Sequence, residues 1–146
     1  MIRIYNTAKA VIQSGRQILM LKKHYEDGRT TYTLPGGGQK PGESLDRAVV
    51  REFYEEAAAV VTPVRLFRVH EYLHPSVTAP DVLKHKVEFV FLCALEAPYI
   101  PRMGVHPDPR QVAVQWMTLD SIDSIRLDPP ALQKILAALP ETGPQI

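Results

Sequence analysis

The longest periodic stretch of the chain covers residues 44–59. It contains no Gly or Pro, and Leu45, Ala48, Val49, Phe53 and Ala57 recur at steps of three, four or one, the spacing of an amphipathic helix. Around it the apolar pattern shortens to strand-like runs. Residues 4–12 and 17–23 read as two strands joined by a hairpin turn at Ser14-Gly15-Arg16, and residues 30–34 as a short third strand. Residues 64–72, 84–95 and 112–117 supply further strands. Residues 119–125 and 130–139 read as helices, the last with Asp128 as N-cap and Pro129 in its first turn. Strands split by one helix and followed by others predict a single α/β domain, a sheet covered on both faces.

The polar face of the central helix carries its chemistry. At ~100° per residue, Glu52 and Glu56 lie roughly 40° apart, and Glu55 lies about 60° to the other side of Glu52. Three anions on one patch repel one another, and the macrodipole disfavours acidic groups toward a helix C-terminus. A hard divalent cation offsets this cost, because Mg²⁺ and Mn²⁺ prefer carboxylate oxygens and keep waters that a phosphate can replace. The spacing therefore reads Glu52, Glu55 and Glu56 as metal ligands. Ahead of the helix, Leu34-Pro35-Gly36-Gly37-Gly38 is expected to form a loop of three residues free to take positive φ, close enough to an ion to offer a carbonyl. Pro41-Gly42 makes a turn, and Ser44 is placed to cap the helix.

Gly37, Glu43, Arg51, Glu52, Phe53, Glu55 and Glu56 fall in the order G-x5-E-x7-R-E-U-x-E-E, with U a bulky apolar residue. This order resembles the Nudix box, the signature of hydrolases that cut a diphosphate linking a nucleoside to a second group. The resemblance implies an α/β/α sandwich with a mixed sheet for nearly the whole chain, although only residues 34–56 carry the specific motif. It implies Mg²⁺ or Mn²⁺ as cofactor, with Gly37 giving its carbonyl and Glu52, Glu55 and Glu56 their carboxylates. It also implies that Arg51 pairs with the acidic residues and orients them, with Glu43 and Gly38 as supporting members of the box. The implied substrate is a small nucleotide of the nucleoside triphosphate, ADP-ribose or nucleotide-sugar class. Proteins of this family are often dimers, so a homodimer is one assembly the resemblance admits.

The chain departs from the pattern at Ala58, where the family has glycine. Alanine there is expected either to cost ~1 kcal/mol in a left-handed turn or to let the helix run on. That departure leaves room for a reading of another class, a Nudix-fold module that binds a nucleotide without cleaving it. The retained carboxylates favour the hydrolase, since a sensor has no need of them.

Composition frames these readings. The 146 residues, 45% of them hydrophobic and 23% charged, suit one domain with a real core. A net charge of +1, with basic residues scattered along the sequence, argues against bulk nucleic-acid or membrane binding. No apolar run approaches the ~18 residues of a membrane span, and a cytoplasmic location is expected. Eight of the thirteen prolines lie in 98–109 and 129–144, predicting rigid loops and a loose tail over 139–146. Cys93, the single cysteine, sits in an apolar strand and reads as a buried, inert thiol.

Outside the box the candidates are fewer. In related proteins an acidic residue from a loop before a strand ending in Trp can serve as a further metal ligand or general base, and the resemblance makes Asp108, ahead of Trp116, the candidate; Glu88 is a candidate for the site side of its strand. His70, His74 and His85 are candidates for phosphate or base contacts, and Tyr25, Tyr32 and Tyr72 for stacking. Pro75, sixteen residues past the box, stands near where part of the family that hydrolyses ADP-ribose has a proline.

Overall fold

The computed structural model describes residues 2–75, 79 and 81–140. Seven strands, β1 (Ile2–Ser14), β2 (Gln17–His24), β3 (Thr30–Thr33), β4 (Gly36–Gly38), β5 (Val61–Pro75), β6 (Leu83–Leu95) and β7 (Gln111–Thr118), are accompanied by α1 (Leu45–Ala57), a 3-10 helix (Leu119–Ser124) and α2 (Leu132–Ala137). The hydrogen-bonded order is β3-β2-β1-β6-β5, with β4 also on β1 and β7 also on β2. The sheet is mixed, because β1 runs parallel to β6 while every other pairing is antiparallel.

Strand alternation sends successive side chains to opposite faces. Ala8, Ala10 and Ile12 of β1, Leu19 and Leu21 of β2, and Phe91 and Cys93 of β6 pack with Ala48, Val49, Phe53 and Ala57 of α1. Their neighbours Val11, Ile18, Met20, Val90 and Leu92 pack on the other side with Ile122, Leu132, Ile135 and Leu136. Two cores on two faces cover the sheet on both sides, as the pattern predicted, and make the α/β/α sandwich that the resemblance implied. Burial pushes the Cys93 thiol up to about 12, which keeps it protonated and inert.

Three local expectations change. The glycine run forms β4, with Thr7 opposite Gly38, Ala8 opposite Gly37 and Lys9 opposite Gly36, and only Gly36 takes a positive φ, 142°. Side chains are absent there, so the run can lie tightly against β1. The helix expected over 119–125 is a 3-10 helix over Leu119–Ser124, capped by Thr118, whose Oγ1 accepts from the Asp120 N–H at 3.2 Å. Asp128 does not cap α2, which starts three residues later behind Ala131 with no side-chain cap. The main chain around Asp128 is tied to β3 instead, where Tyr32 N–H donates to the Arg126 carbonyl and Asp128 N–H to that of Tyr32. Of the expected tail, Leu139 packs against the second core and the Pro140 carbonyl accepts from Gln13 Nε2 at 2.7 Å; residues 141–146 lie outside the described residues. Among the described residues no helix is long and apolar enough to cross a membrane.

Candidate active site

The helix α1 begins where the sequence places its cap, with Ser44 Oγ accepting from the Arg47 N–H at 3.2 Å. Two turns later Arg51 gathers the acidic residues. Its Nε and Nη2 donate to the two oxygens of Glu43 at 2.7 and 2.9 Å, and Nη2 also reaches the Gly38 carbonyl at 2.9 Å. Its Nη1 donates to Glu52 at 3.0 Å and stands 3.4 Å from both oxygens of Glu55. The Arg51 hydrogen bonds hold the Glu43 carboxyl down to about 2, and Glu43 in turn raises the pKa of the guanidinium.

Glu52 lies directly against β4. A Cβ added to Gly37 would come within 2.6 Å of its carboxylate, so only glycine lets the two lie together. Glu56, 5% exposed, takes another direction and accepts from the Gly36 N–H at 2.8 Å. Burial pushes its carboxyl up to about 7, with the Glu52 charge adding to the shift and Lys9 and the Gly36 N–H opposing it. Among the described residues no three Asp, Glu, His or Cys side chains stand close enough to hold an ion jointly. Glu52 and Glu55 turn to Arg51 and Glu56 to Gly36, as expected of like charges that each find a donor. A donor set of the Glu52, Glu55 and Glu56 carboxylates with the Gly37 carbonyl would be all oxygen, which suits a hard divalent cation.

The helix ends at Ala58, which takes the left-handed conformation at φ 57° and ψ 37° and donates its N–H to the Tyr54 carbonyl at 3.0 Å. The alanine therefore stops the helix as a glycine would. The last carbonyls of α1 are met by one loop: Glu55 by the His106 N–H, Glu56 by the Gly104 N–H and Gln111 Nε2, Ala57 by the Tyr99 hydroxyl, and Ala58 by Arg102 Nη2, at 2.7–2.9 Å. These orphan carbonyls are satisfied without solvent.

Beside the carboxylates, a cavity of about 220 Å³ is lined by Glu56, Gly36, Lys9, Lys23, Lys84, Lys86 and Asp108 among others. Lys23 is paired with Asp108 at 3.1 Å, while Lys9, Lys84 and Lys86 have no carboxylate within ion-pair distance among the described residues. Burial, with repulsion from Lys9, Lys23 and Lys84, lowers the pKa of Lys86 against the pull of Glu88. The basic residues that looked scattered in sequence are gathered here by the parallel pairing of β1 with β6, and only the alternation Lys84-x-Lys86-x-Glu88 hinted at it.

The box stands on one helix, Gly37 fits Glu52 on an adjoining strand, and a model of the NUDIX domain matches residues 5–139. The chain belongs to the Nudix hydrolase family. It is 34% identical over 74 residues to an NAD-capped RNA hydrolase, NudC, from Vibrio cholerae, a match covering 51% of this chain and 27% of that protein. It is 38% identical over 55 residues to the 8-oxo-dGDP phosphatase NUDT18 of Mus musculus, covering 38% of this chain and 17% of that one. The matches thus span about a quarter or less of those relatives. Among solved structures, a Nudix hydrolase from Nitrosomonas europaea superposes with TM-score 0.70 at 21% identity, over 91% of this chain and 86% of that chain. A MutT Nudix hydrolase from Burkholderia pseudomallei does so with TM-score 0.59 at 29% identity, over 81% and 85%.

The residues outside the Nudix box divide. Asp108 lines the same cavity as Glu56. Although burial opposes it, Lys23 and the Arg110 N–H hold its pKa below the ordinary carboxylate value. Glu88 shares a sheet face with Lys84 and Lys86 but is 1% exposed. Its Oε2 accepts from the Thr7 hydroxyl at 3.1 Å and the Tyr72 hydroxyl at 3.3 Å. Its Oε1 lies 3.0 Å from His70 Nε2, near enough for an ion pair but too oblique for a well-formed hydrogen bond. Burial would raise the Glu88 pKa, yet His70, Lys9 and Lys86 bring it down to about 2. His85 pairs with Glu71 at 2.8 Å, Tyr32 packs against the second core, and Tyr72 stacks on His70 with centroids 5.7 Å apart. His74, Pro75 and Tyr25 line a larger cavity adjoining the first.

Proposed function

We propose that this Nudix protein is a divalent-cation-dependent hydrolase that cleaves the diphosphate of a nucleoside diphosphate derivative. The observation that carries the reading is the close fit of Glu52 against Gly37, which leaves a carboxylate and a backbone facing one another with no side chain between. Gly37, Glu52, Glu55 and Glu56 would hold Mg²⁺ or Mn²⁺, which when bound supplies charge neutralisation of the phosphates and lowers the pKa of a coordinated water.

The protein's own residues account for the rest of the reaction. Lys9, Lys84 and Lys86 meet the diphosphate charge in the small cavity and orient it toward α1. Arg51 fixes Glu52 and Glu55 through its fork and is itself fixed by Glu43. Glu52, Glu55, Glu56 and Asp108 are the carboxylates within this region that can take the proton of the attacking water. The products are a nucleoside monophosphate and a phosphorylated partner, or pyrophosphate when the substrate is a nucleoside triphosphate. Relatives named for 8-oxo-dGDP, NAD-capped RNA and, on a structure from Streptococcus suis, ADP-ribose support a substrate that contains a nucleoside diphosphate group. The rival reading of a binding module leaned on Ala58, and that residue closes the helix in the left-handed conformation a glycine would take.

The test is a panel of nucleoside triphosphates, ADP-ribose, NADH and nucleotide sugars incubated with protein and Mg²⁺ or Mn²⁺, with EDTA as control and products resolved by chromatography. Cation-dependent release of a nucleoside monophosphate, abolished in Glu56→Gln with unchanged thermal unfolding, is the expected result. Tight binding of a panel member without any release would leave a binding module instead.

A further inference from the structure

The larger cavity, about 690 Å³, shares Lys23, Lys84, Lys86 and Asp108 with the one beside Glu56, so a ligand held at α1 continues into it. Its size is in the range that holds a drug-sized ligand. Three buried polar atoms of its lining, Thr31 Oγ1, His74 Nδ1 and Arg110 Nε, have no hydrogen-bond partner among the described residues. The nearest carboxylate to Arg110 Nε, Oε2 of the exposed Glu26, is 3.6 Å away, too far for a hydrogen bond. Unpartnered buried polar groups are costly, and their concentration in one cavity marks it as built for a polar occupant.

Charge states which kind. Beyond the three shared lysines, the cavity is lined by Arg29, Arg110 and Arg126. Against these six cations stand Asp108 and Asp128 in the lining, with Asp27 on Arg29 and Glu26 near Arg110, which leaves two positive charges over in a chain whose net charge is only +1. Arg126 has no carboxylate within ion-pair distance among the described residues. The guanidiniums of Arg29 and Arg110 lie 4.6 and 5.2 Å from the centroid of the Tyr25 ring. A guanidinium that stacks by its face keeps its N–H edge for an oxyanion. The three arginines do not line the smaller cavity, so a diphosphate lying there does not account for them.

We propose that the larger cavity receives the nucleoside end of the substrate and that this end carries a second phosphate, a phosphomonoester on its sugar, held by Arg110 and Arg126. The placement of the diphosphate at α1 rests on the hydrolase reading; the anion subsite does not need turnover.

Titration calorimetry on the full chain, without divalent cation, compares two matched pairs: ADP-ribose with its 2′-phosphate, and ADP with adenosine 3′-phosphate 5′-diphosphate. In at least one pair the phosphorylated member is expected to bind about tenfold tighter. In the double variant Arg110→Met/Arg126→Met that preference should fall to within about threefold, while the unphosphorylated member binds as before. Equal affinity within both pairs, no measurable binding of either phosphorylated probe, or a preference that survives the double substitution would overturn the subsite. Adding Mg²⁺ to the same probes separates the two readings. A retained preference with no hydrolysis of these probes or of any member of the nucleotide panel sinks the hydrolase alone, and hydrolysis without preference sinks the subsite alone.

Discussion

Glu43 receives Arg51 through both of its oxygens, at 2.7 and 2.9 Å, from eight residues earlier in the chain. One side chain at the start of the box thereby sets the position of the cation that Glu52 and Glu55 share. Arg51→Lys keeps the charge and loses the fork. It is expected to lower kcat/KM by roughly 10–100-fold with an unchanged circular dichroism spectrum. Steady-state kinetics on the best substrate of the panel decides it, and activity within twofold of the parent would remove Arg51 from the positioning role.

Gly37→Ala tests the fit at the centre of the site. The added methyl meets the Glu52 carboxylate at 2.6 Å and must displace it. Turnover should fall by at least about 100-fold, the scale on which small misplacements act. Because Glu52 is only partly buried and its carboxylate can swing out, the midpoint of urea unfolding should barely move. A variant that unfolds instead would show that the contact serves the fold more than the chemistry.

Ala58→Gly should make the protein more stable. A non-glycine residue in the left-handed region carries strain of about 1–2 kcal/mol, partly offset by the extra freedom glycine gives the unfolded chain. A net gain of about 0.5–1 kcal/mol in urea denaturation is expected. A loss of stability would mean that the alanine methyl contributes packing that outweighs its strain.

Glu88 predicts a pH dependence. Its folded pKa, about 2, lies below its ordinary 4.5. It therefore contributes stability that is fully present above about pH 4.5 and is lost as pH falls toward 2, by an amount on the order of 3 kcal/mol. Glu88→Gln should be less stable than the parent at pH 7, and its stability should vary less between pH 4.5 and 2. Parallel slopes for the two proteins in that window would show that His70, Lys9 and Lys86 do not hold the carboxylate as described.

Much of this was legible in the sequence because it was local. The period of α1, the Ser44 cap and the spacing from Gly37 to Glu56 all lie within one short stretch, where geometry follows directly from residue offsets. Strand faces were legible too, since alternation survives folding. Contacts between distant segments were not. Gln111 and Tyr99 satisfy the carbonyls at the end of α1 from more than 40 residues away, and nothing near them announces it. Lys9 joins Lys84 and Lys86 only through a parallel strand pairing. The start of α2 was misplaced for a related reason, since the bonds between β3 and residues 126–128 override a good local capping signal.

On the proposed reading, the cleaving groups and the recognising groups have different addresses in this chain. Glu52, Glu55 and Glu56 sit on one helix, while the cations come from Lys9 of β1, Lys23 of β2, Lys84 and Lys86 of β6, and Arg110 and Arg126 in loops. On that reading, a lineage descending from this protein exchanges its substrates by editing strand lysines and loop arginines, without rewriting a single acid of the helix proposed to do the cutting.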